Sequence, residues 1–527
     1  MTSAVRRSPA RRIAVAALAV GTAAVLVACG SRGPAAVEEA GPPQRGGDAT
    51  IVLGVEAVRG LDPAMLFNLT PSGDANRMSA IYGTLLWADA ATGAVSPGLA
   101  ESLTPSADGA QWTLVLRPAL TFSDGTPLDA EAVRFNYARI ADPATRSPLA
   151  PLLAGVTTTV RDARTLQIDL ATPNFSFDRV LATNLTFIGS PTAIAADPAG
   201  FANEPVGAGP FVLREWVRDD HMTLERNPTY AGPDEPLLDT VTFTVIADPT
   251  QRINTVASGQ AQAAVPGSDL SFRDAAAQRR LAVTEAPAGG GPTFLFNTAR
   301  APFDDVRARR AVAMALDLAD LDSVIDPGSA APEGLFGPGS PFGSPGPLVE
   351  HDAAGAQQLL SQLAAEGKPV EFTVTLTPSG LFKRTAEYVQ SRLSTFRDIA
   401  VTIDIVDNAT IDQRVFRDRD YDMSAQIVPV PDPEPNLYKL LHSTGQTNYT
   451  GFADPALDAA LDAARSTQDT AAREAAYATV QRIVADQVPI LPFREQVAYT
   501  VHRPELTGLV LHGDGALLYD RLGLAAS

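Results

Sequence analysis

Five histidines, His221, His351, His442, His502 and His512, are the chain's imidazoles, and no two share the helical spacing that brings metal ligands onto one face. They read as ordinary surface or core residues. No Gly-x-Ser-x-Gly turn offers an activated serine, and no Gly-x-x-x-x-Gly-Lys-Ser/Thr loop offers a phosphate cradle. Gly289-Gly290-Gly291 comes nearest to such a loop, but Phe294 to Asn297 behind it reads as strand, so the glycines mark a tight turn or hinge. Gly337, Gly339 and Gly343 miss the dinucleotide spacing by one position. Asp304-Asp305 reads as a helix cap rather than a pair of catalytic carboxylates. No catalytic residue, metal or cofactor is assigned, and an exported hydrolase is the weaker reading.

Cys29 is the only cysteine in the 527 residues. Arg6, Arg7, Arg11 and Arg12 precede an uncharged apolar run, Ile13 to Ala28, which is shorter than the roughly 20 residues a membrane-spanning helix needs. A basic patch, a short apolar run and small residues at its end are the pattern of an export signal. Leu26-Val27-Ala28-Cys29 resembles the lipobox of bacterial lipoproteins, which implies cleavage before Cys29 and a lipid on its thiol. With Cys29 used that way no thiol remains for a disulfide, a zinc site or a nucleophile.

Acids outnumber bases, 60 to 41, for a formal net charge of −19. Cutting before Cys29 removes four arginines and no acid, which deepens the imbalance and argues against nucleic acid as a partner. Gly30 to Gly47, rich in Pro, Gly, Ala and Glu, reads as a flexible tether.

The remainder interleaves strands and helices. Trp112, Leu114 and Leu116 alternate with polar residues, as do Leu166, Ile168 and Leu170, and Val401, Ile403 and Ile405. Asp304 and Asp305 should cap a helix whose apolar face carries Val312, Ala315, Leu316 and Ala319. Asp454-Pro455 is an N-cap followed by an N1 proline, with Leu457, Ala460, Leu461 and Ala464 at helical spacing. A further helix is expected over about Thr470 to Asp486, buried through Ala476, Val480, Ile483 and Val484 and stopped by Pro489 and Pro492. Such a chain suggests more than one α/β lobe.

Several segments, in order, carry a resemblance across about Gly46 to Leu522. They are Gly46-Gly47-Asp48-Ala49-Thr50-Ile51-Val52, Leu61-Asp62-Pro63, Ile81-Tyr82-Gly83-Thr84-Leu85-Leu86, Pro97-Gly98-Leu99-Ala100-Glu101-Ser102 and Phe122-Ser123-Asp124-Gly125-Thr126-Pro127-Leu128. More specific are Val206-Gly207-Ala208-Gly209-Pro210-Phe211 with Trp216, Arg226-Asn227-Pro228-Thr229-Tyr230, Asn297-Thr298 followed by Pro302-Phe303-Asp304-Asp305-Val306-Arg307, and Asn448-Tyr449-Thr450-Gly451-Phe452. In this order they resemble the extracytoplasmic solute-binding proteins of ABC importers, in the oligopeptide/dipeptide-binding family.

The resemblance implies an α/β, two-lobed periplasmic-binding-protein fold of the class II type, from the large cluster with an extra subdomain, its ligand cleft lying between lobes joined by a hinge. Residues 1–28 would be signal, 29–45 lipidated cysteine and tether, 46–283 lobe I with an inserted subdomain at about 83–205, 284–494 lobe II, and 495–527 a return to lobe I. Leu281 to Gly291 would be one hinge crossing, and a second would lie near Glu495. It implies a monomer on the outer face of the cytoplasmic membrane that gives a peptide or peptide-sized solute to an ABC permease and ATPase. A surface sensor or adhesin on the same fold is the alternative.

The resemblance also implies cleft residues: Phe67, Asn68 and Thr70 after the first-loop signature, and Phe336 and Phe342 after the second-lobe helix. Peptide-binding members carry a Trp and an Asp just before the Asp-Pro of the second lobe, and that Asp pairs with the peptide ammonium. Here the stretch is Gln426-Ile427-Val428-Pro429-Val430-Pro431-Asp432-Pro433, with Val428 and Pro429 near the acid's place. Asp432 either replaces the acid or caps the helix holding Leu437 and Leu440. Short free peptides are therefore expected to bind weakly, and a blocked peptide or another amphiphilic solute to bind better.

Overall fold

The computed structural model describes residues 41–526, apart from 58–59, 67–69, 72, 266–269, 288, 326–330, 333, 338–339 and 343–345. Cys29, Phe67 and Asn68 lie outside the described residues.

Two sheets organise the chain. The first has seven strands in the order Ala282–Pro287, Val497–His502, Ala263–Ala264, Asp48–Leu53, Thr240–Val245, His221–Arg226 and Phe211–Val217. The second has five, ordered Ile399–Ile405, Val370–Leu376, Met423–Pro429, Gly290–Phe296 and Ile490–Pro492. A four-stranded antiparallel sheet, Ala100–Pro105, Gln111–Leu116, Thr165–Leu170 and Val156–Val160, adjoins the first. One continuous apolar core joins these two sheets, from Ile51 and Phe243 through Leu114 and Ile168.

The second lobe shows how strand periodicity builds a core. Successive side chains of a strand point to opposite faces, and Gly290–Phe296 is buried on both. Phe294 and Phe296 face one side, where Phe493 stacks on Phe294 at 4.2 Å and Phe303 meets Phe296 at 4.9 Å. Leu295 faces the other, against a layer containing Leu457, Leu461, Val480 and Val484. Those four lie on helices Pro455–Arg465 and Thr470–Gln487, both expected from their apolar spacing. Asp454 accepts from Ala456 and Leu457 N–H, and Asp469 from Ala472 N–H.

Two expectations need correction. The helix after Asp305 ends at Ala315, and a second one spans Leu318–Ile325. Asp317 causes the break: its side chain accepts from Ala319 and Asp320 N–H and so starts a new helix. The expected tether also ends early, because Pro43–Gln44 pairs with Gly523–Ala525.

Where the chain passes from the strand 282–287 in one sheet to 290–296 in the other, Gly289, Gly290 and Gly291 all have positive φ, at 59, 61 and 138°. The passage back, from 490–492 to 497–502, runs beside it. Phe493 N–H donates to Pro292 O at 2.9 Å and Gln496 N–H to Gly290 O at 2.8 Å. A Cβ on Gly290 would strike Val428 O, and one on Gly291 would strike Arg494 O. Glycine is required here for its backbone conformation and for the close approach of neighbouring chain.

Candidate functional site

The two lobes meet along a seam between helix Phe177–Asn184 of the first and the segment from Asp432 through helix Asn436–Leu441 of the second. Arg179 Nε lies 2.9 Å from Asp432 Oδ2, and Arg473 approaches Asp432 Oδ1 at 3.5 Å. The same Oδ1 accepts from Glu434 N–H at 3.0 Å. Asp432 is thus a buried turn residue whose oxygens are both engaged. It does not cap the following helix, which starts at Asn436 after Pro435.

Further contacts tie the seam together. Phe175 N–H donates to Arg465 O at 2.7 Å, and Lys439 Nζ donates to Asn184 Oδ1 at 3.1 Å. Gly93 sits flush against Asp432, where a Cβ would come within 2.9 Å of the Asp432 Cβ. Glu434, buried, pairs with Arg465 at 2.9 Å, and the Arg465 guanidinium lies 3.5 Å over the Tyr438 ring. Burial pushes the Glu434 carboxyl up, with Arg465 opposing. Burial works against the Arg179 charge, but Asp432 and Asp178 outweigh it and hold that guanidinium above its ordinary value.

Two cavities lie along this seam. An inner chamber of ≈ 80 Å³ is bounded by Ala75, Thr183, Asn184, Asn436, His512 and Asp514. A larger outer cavity of ≈ 410 Å³ lies between Leu152, Val156, Leu170 and Val180 on one side and Tyr438 and Lys439 on the other. Burial drops Lys439 to about 8, with Asp514 and Glu434 opposing, and lifts Asp514 to about 6, with Lys439 opposing. Among the described residues no cluster of His, Cys, Asp or Glu is placed to hold a metal, and no helix is long and apolar enough to cross a membrane.

The expected cleft residues fall in different places. Thr70 is exposed and its carbonyl accepts from Gly73 N–H, just before the helix Ala75–Tyr82 whose first residue lines the inner chamber. Pro429 ends its strand, and its carbonyl accepts from Asn436 Nδ2 at 2.8 Å. Phe336 and Phe342 are buried in the second lobe's core, 5.6 and 4.7 Å from the Tyr477 ring, and line neither seam cavity. Arg179, Asn184, Lys439 and Asp514 occupy the seam without any sequence signal. Asp514 sits between two glycines and reads as a plain turn, and Lys439 reads as the polar side of a short helix.

The quoted signature residues act structurally. Asp62 accepts from Ala64 N–H and pairs with Arg139 at 2.5 Å. Asn227 donates to Gly209 O while accepting from Thr229 N–H, and Asn448 donates to His442 O and Phe452 O. They lock loops that set the lobes' shape.

Known proteins share this architecture. The glutathione-binding protein GsiB of Shigella dysenteriae is 26% identical over 451 residues, covering 80% of this chain and 85% of its own. A dipeptide-binding protein from Pseudoalteromonas sp. SM9913, solved in complex with Met-Leu, superposes with a TM-score of 0.78 at 21% identity, over 91% of this chain and 100% of its own. The periplasmic binding protein AgaA of A. tumefaciens R10, solved with agropinic acid, gives 0.78 at 23% identity, over 91% and 99%. The sequence profile of bacterial extracellular solute-binding proteins, family 5, middle region, matches residues 94–448. The two-lobed α/β fold is the one these solved proteins share, and the chain belongs to the bacterial extracellular solute-binding proteins of family 5.

Proposed function

We propose that this solute-binding protein captures a peptide or peptide-sized solute between its lobes and gives it to an ABC permease and its ATPase, while a lipid on Cys29 holds it at the outer face of the cytoplasmic membrane. The observation that carries this reading is the seam itself. Two sheets with separate cores are joined through one glycine-rich crossing pair, and cavities lie between charged residues contributed by both sides. A ligand that touches both lobes favours the closed form by its difference in affinity for the two forms, which suits capture followed by release. The family membership and the peptide and glutathione ligands named for its relatives point to the same class of solute. On this reading the solute is carried unaltered.

The test is mass spectrometry of solutes released by denaturing the purified protein, paired with uptake of the identified solute by cells that lack the gene. A released solute whose uptake falls when the gene is deleted supports transport. Undiminished uptake overturns it.

A further inference from the structure

The acids of the seam differ in what they leave open. Asp432 has both oxygens engaged, Glu434 is held by Arg465, and Asp178 is held by Arg179 at 3.1 Å. All three are committed to arginines of the seam. Asp514 is different. It stands at the turn between Leu511–His512 and Ala516–Leu517 and borders the inner chamber, where among the described residues its carboxylate makes no hydrogen bond and no ion pair within 4 Å. The charge acting on it is Lys439 from the other lobe. Lys439 spends one of its three N–H donors on Asn184. The inner chamber therefore carries the negative charge of Asp514, while the positive charge of Lys439 stands in the outer cavity, bonded to Asn184 of the chamber wall; the two charges belong to opposite lobes, near enough to influence each other and too far apart to pair.

Volume and lining add a second, independent constraint. The inner chamber, at ≈ 80 Å³, is several times the space of one water and admits a small polar head. Lys439 borders the outer cavity and reaches the inner one through Asn184; the outer cavity, at ≈ 410 Å³, is five times larger and is walled by Leu152, Val156, Leu170, Val180 and Tyr438. Both cavities lie along the same two helices. Phe177 and Val180 face the outer one while Thr183 and Asn184 face the inner, and Tyr438 faces the outer while Asn436 faces the inner.

We propose that this seam takes the free α-amino-acid end of an amphipathic solute, with the ammonium on Asp514, the carboxylate on Lys439 and the apolar body along the outer cavity. The assignment rests on the solute-binding reading and names its ligand class. Burying one charge without a counter-charge is costly, so a site with one fixed charge of each sign selects a head carrying both. A head with only an ammonium leaves Lys439 facing it unpaired, and a head with only a carboxylate does the same to Asp514. A linear peptide carries its two charges at opposite ends and does not present both from one carbon to Asp514 and Lys439, which agrees with the expectation of weak binding by short free peptides.

The experiment is calorimetry on the mature, denatured-and-refolded chain with four probes: L-2-aminodecanoic acid, decanoic acid, decylamine and L-alanine. Wild type should bind aminodecanoic acid at least tenfold more tightly than any of the other three. Asp514→Asn should lower that affinity at least tenfold and leave decanoic acid unchanged. Lys439→Met should do the reverse, lowering affinity for aminodecanoic acid while sparing decylamine. Melting curves of both variants confirm folding; Asp514→Asn removes no hydrogen bond, and Lys439→Met removes the one to Asn184. Equal binding of aminodecanoic acid by wild type and Asp514→Asn overturns the assignment, as does equal binding of the three ten-carbon probes by wild type. A chain that binds none of the probes yet releases another solute from its expression host overturns the assignment and leaves solute binding standing. A chain that releases nothing and binds nothing overturns both.

Discussion

Arg179 and Asp432 stand on different lobes, and their charged atoms meet at 2.9 Å inside the seam, where both side chains are largely buried. The pair bridges the lobes, so it is lost when helix Phe177–Asn184 parts from the turn that carries Asp432. Arg179→Met should therefore shift the population toward open forms. Asp432 keeps Arg473 as a partner, so the loss is partial, on the order of 1–2 kcal/mol. That corresponds to roughly a five- to thirtyfold weaker apparent affinity for the co-purified solute. Small-angle scattering without ligand should give a larger radius of gyration for the variant. An unchanged radius together with unchanged affinity would show that the pair does not hold the lobes together.

The crossing gives a second prediction. Gly291 has φ 138°, and a Cβ there would run into Arg494 O and lie 2.9 Å from Gln496 N. Gly291→Ala is expected to cost about 1–3 kcal/mol of stability, from backbone strain and the displaced neighbouring strand. Gly125→Ala makes a fair control, because its φ of 82° is similarly positive but nothing lies within 4 Å of the added methyl. Denaturant midpoints compare the two, and an equal loss in both would show that the close approach at the crossing contributes nothing.

Asp514 makes the stability of the ligand-free protein pH-dependent with a definite sign. Burial lifts its pKa from 3.8 to about 6, so the folded state holds this proton more tightly than the unfolded chain. Its contribution is fully present below about pH 4 and is lost as pH rises through 6, by roughly 2 kcal/mol for a partly buried group. His512 slopes the other way, since burial lowers it to about 4 and stability rises as pH climbs from there to 6.5. The two partly cancel in wild type. The informative quantity is the difference between wild type and Asp514→Asn: the variant should gain on wild type between pH 4 and 6 and keep a constant lead from pH 6.5 to 7.5. A difference that is flat throughout would mean that Asp514 is not desolvated.

Export makes its own prediction. Cys29→Ala should leave the protein uncleaved or release it from the membrane fraction, and metabolic labelling with radioactive palmitate should vanish. Continued labelling of the variant would exclude Cys29 as the anchor.

The legible parts of the sequence were those decided by local chemistry. Asp454-Pro455 starts its helix through a cap that needs only neighbouring N–H groups, and Trp112, Leu114 and Leu116 bury one face of a strand as their alternation requires. The break at Asp317 was legible in principle but was masked by the apolar residues continuing at helical spacing on either side. The seam was not legible, because its pairs join segments far apart in the chain. Nothing near Arg179 announces Asp432, and nothing near Asp514 announces Lys439. Phe336 and Phe342 were placed by family position, and the second lobe's own core packing around Tyr477 claims them.

Three successive glycines at the crossing carry no side chains with which to resist bending. The balance between open and closed forms is then set away from the pivot, by residues such as Arg179 and Asp432. For a binder of this kind the apparent dissociation constant is the intrinsic one divided by the closed-competent fraction. A substitution at the seam that touches no ligand rescales affinity for every solute by one common factor and leaves their ranking unchanged. Strength of capture and choice of cargo can therefore drift independently, the first through contacts between lobes and the second through the few side chains that face the cavities.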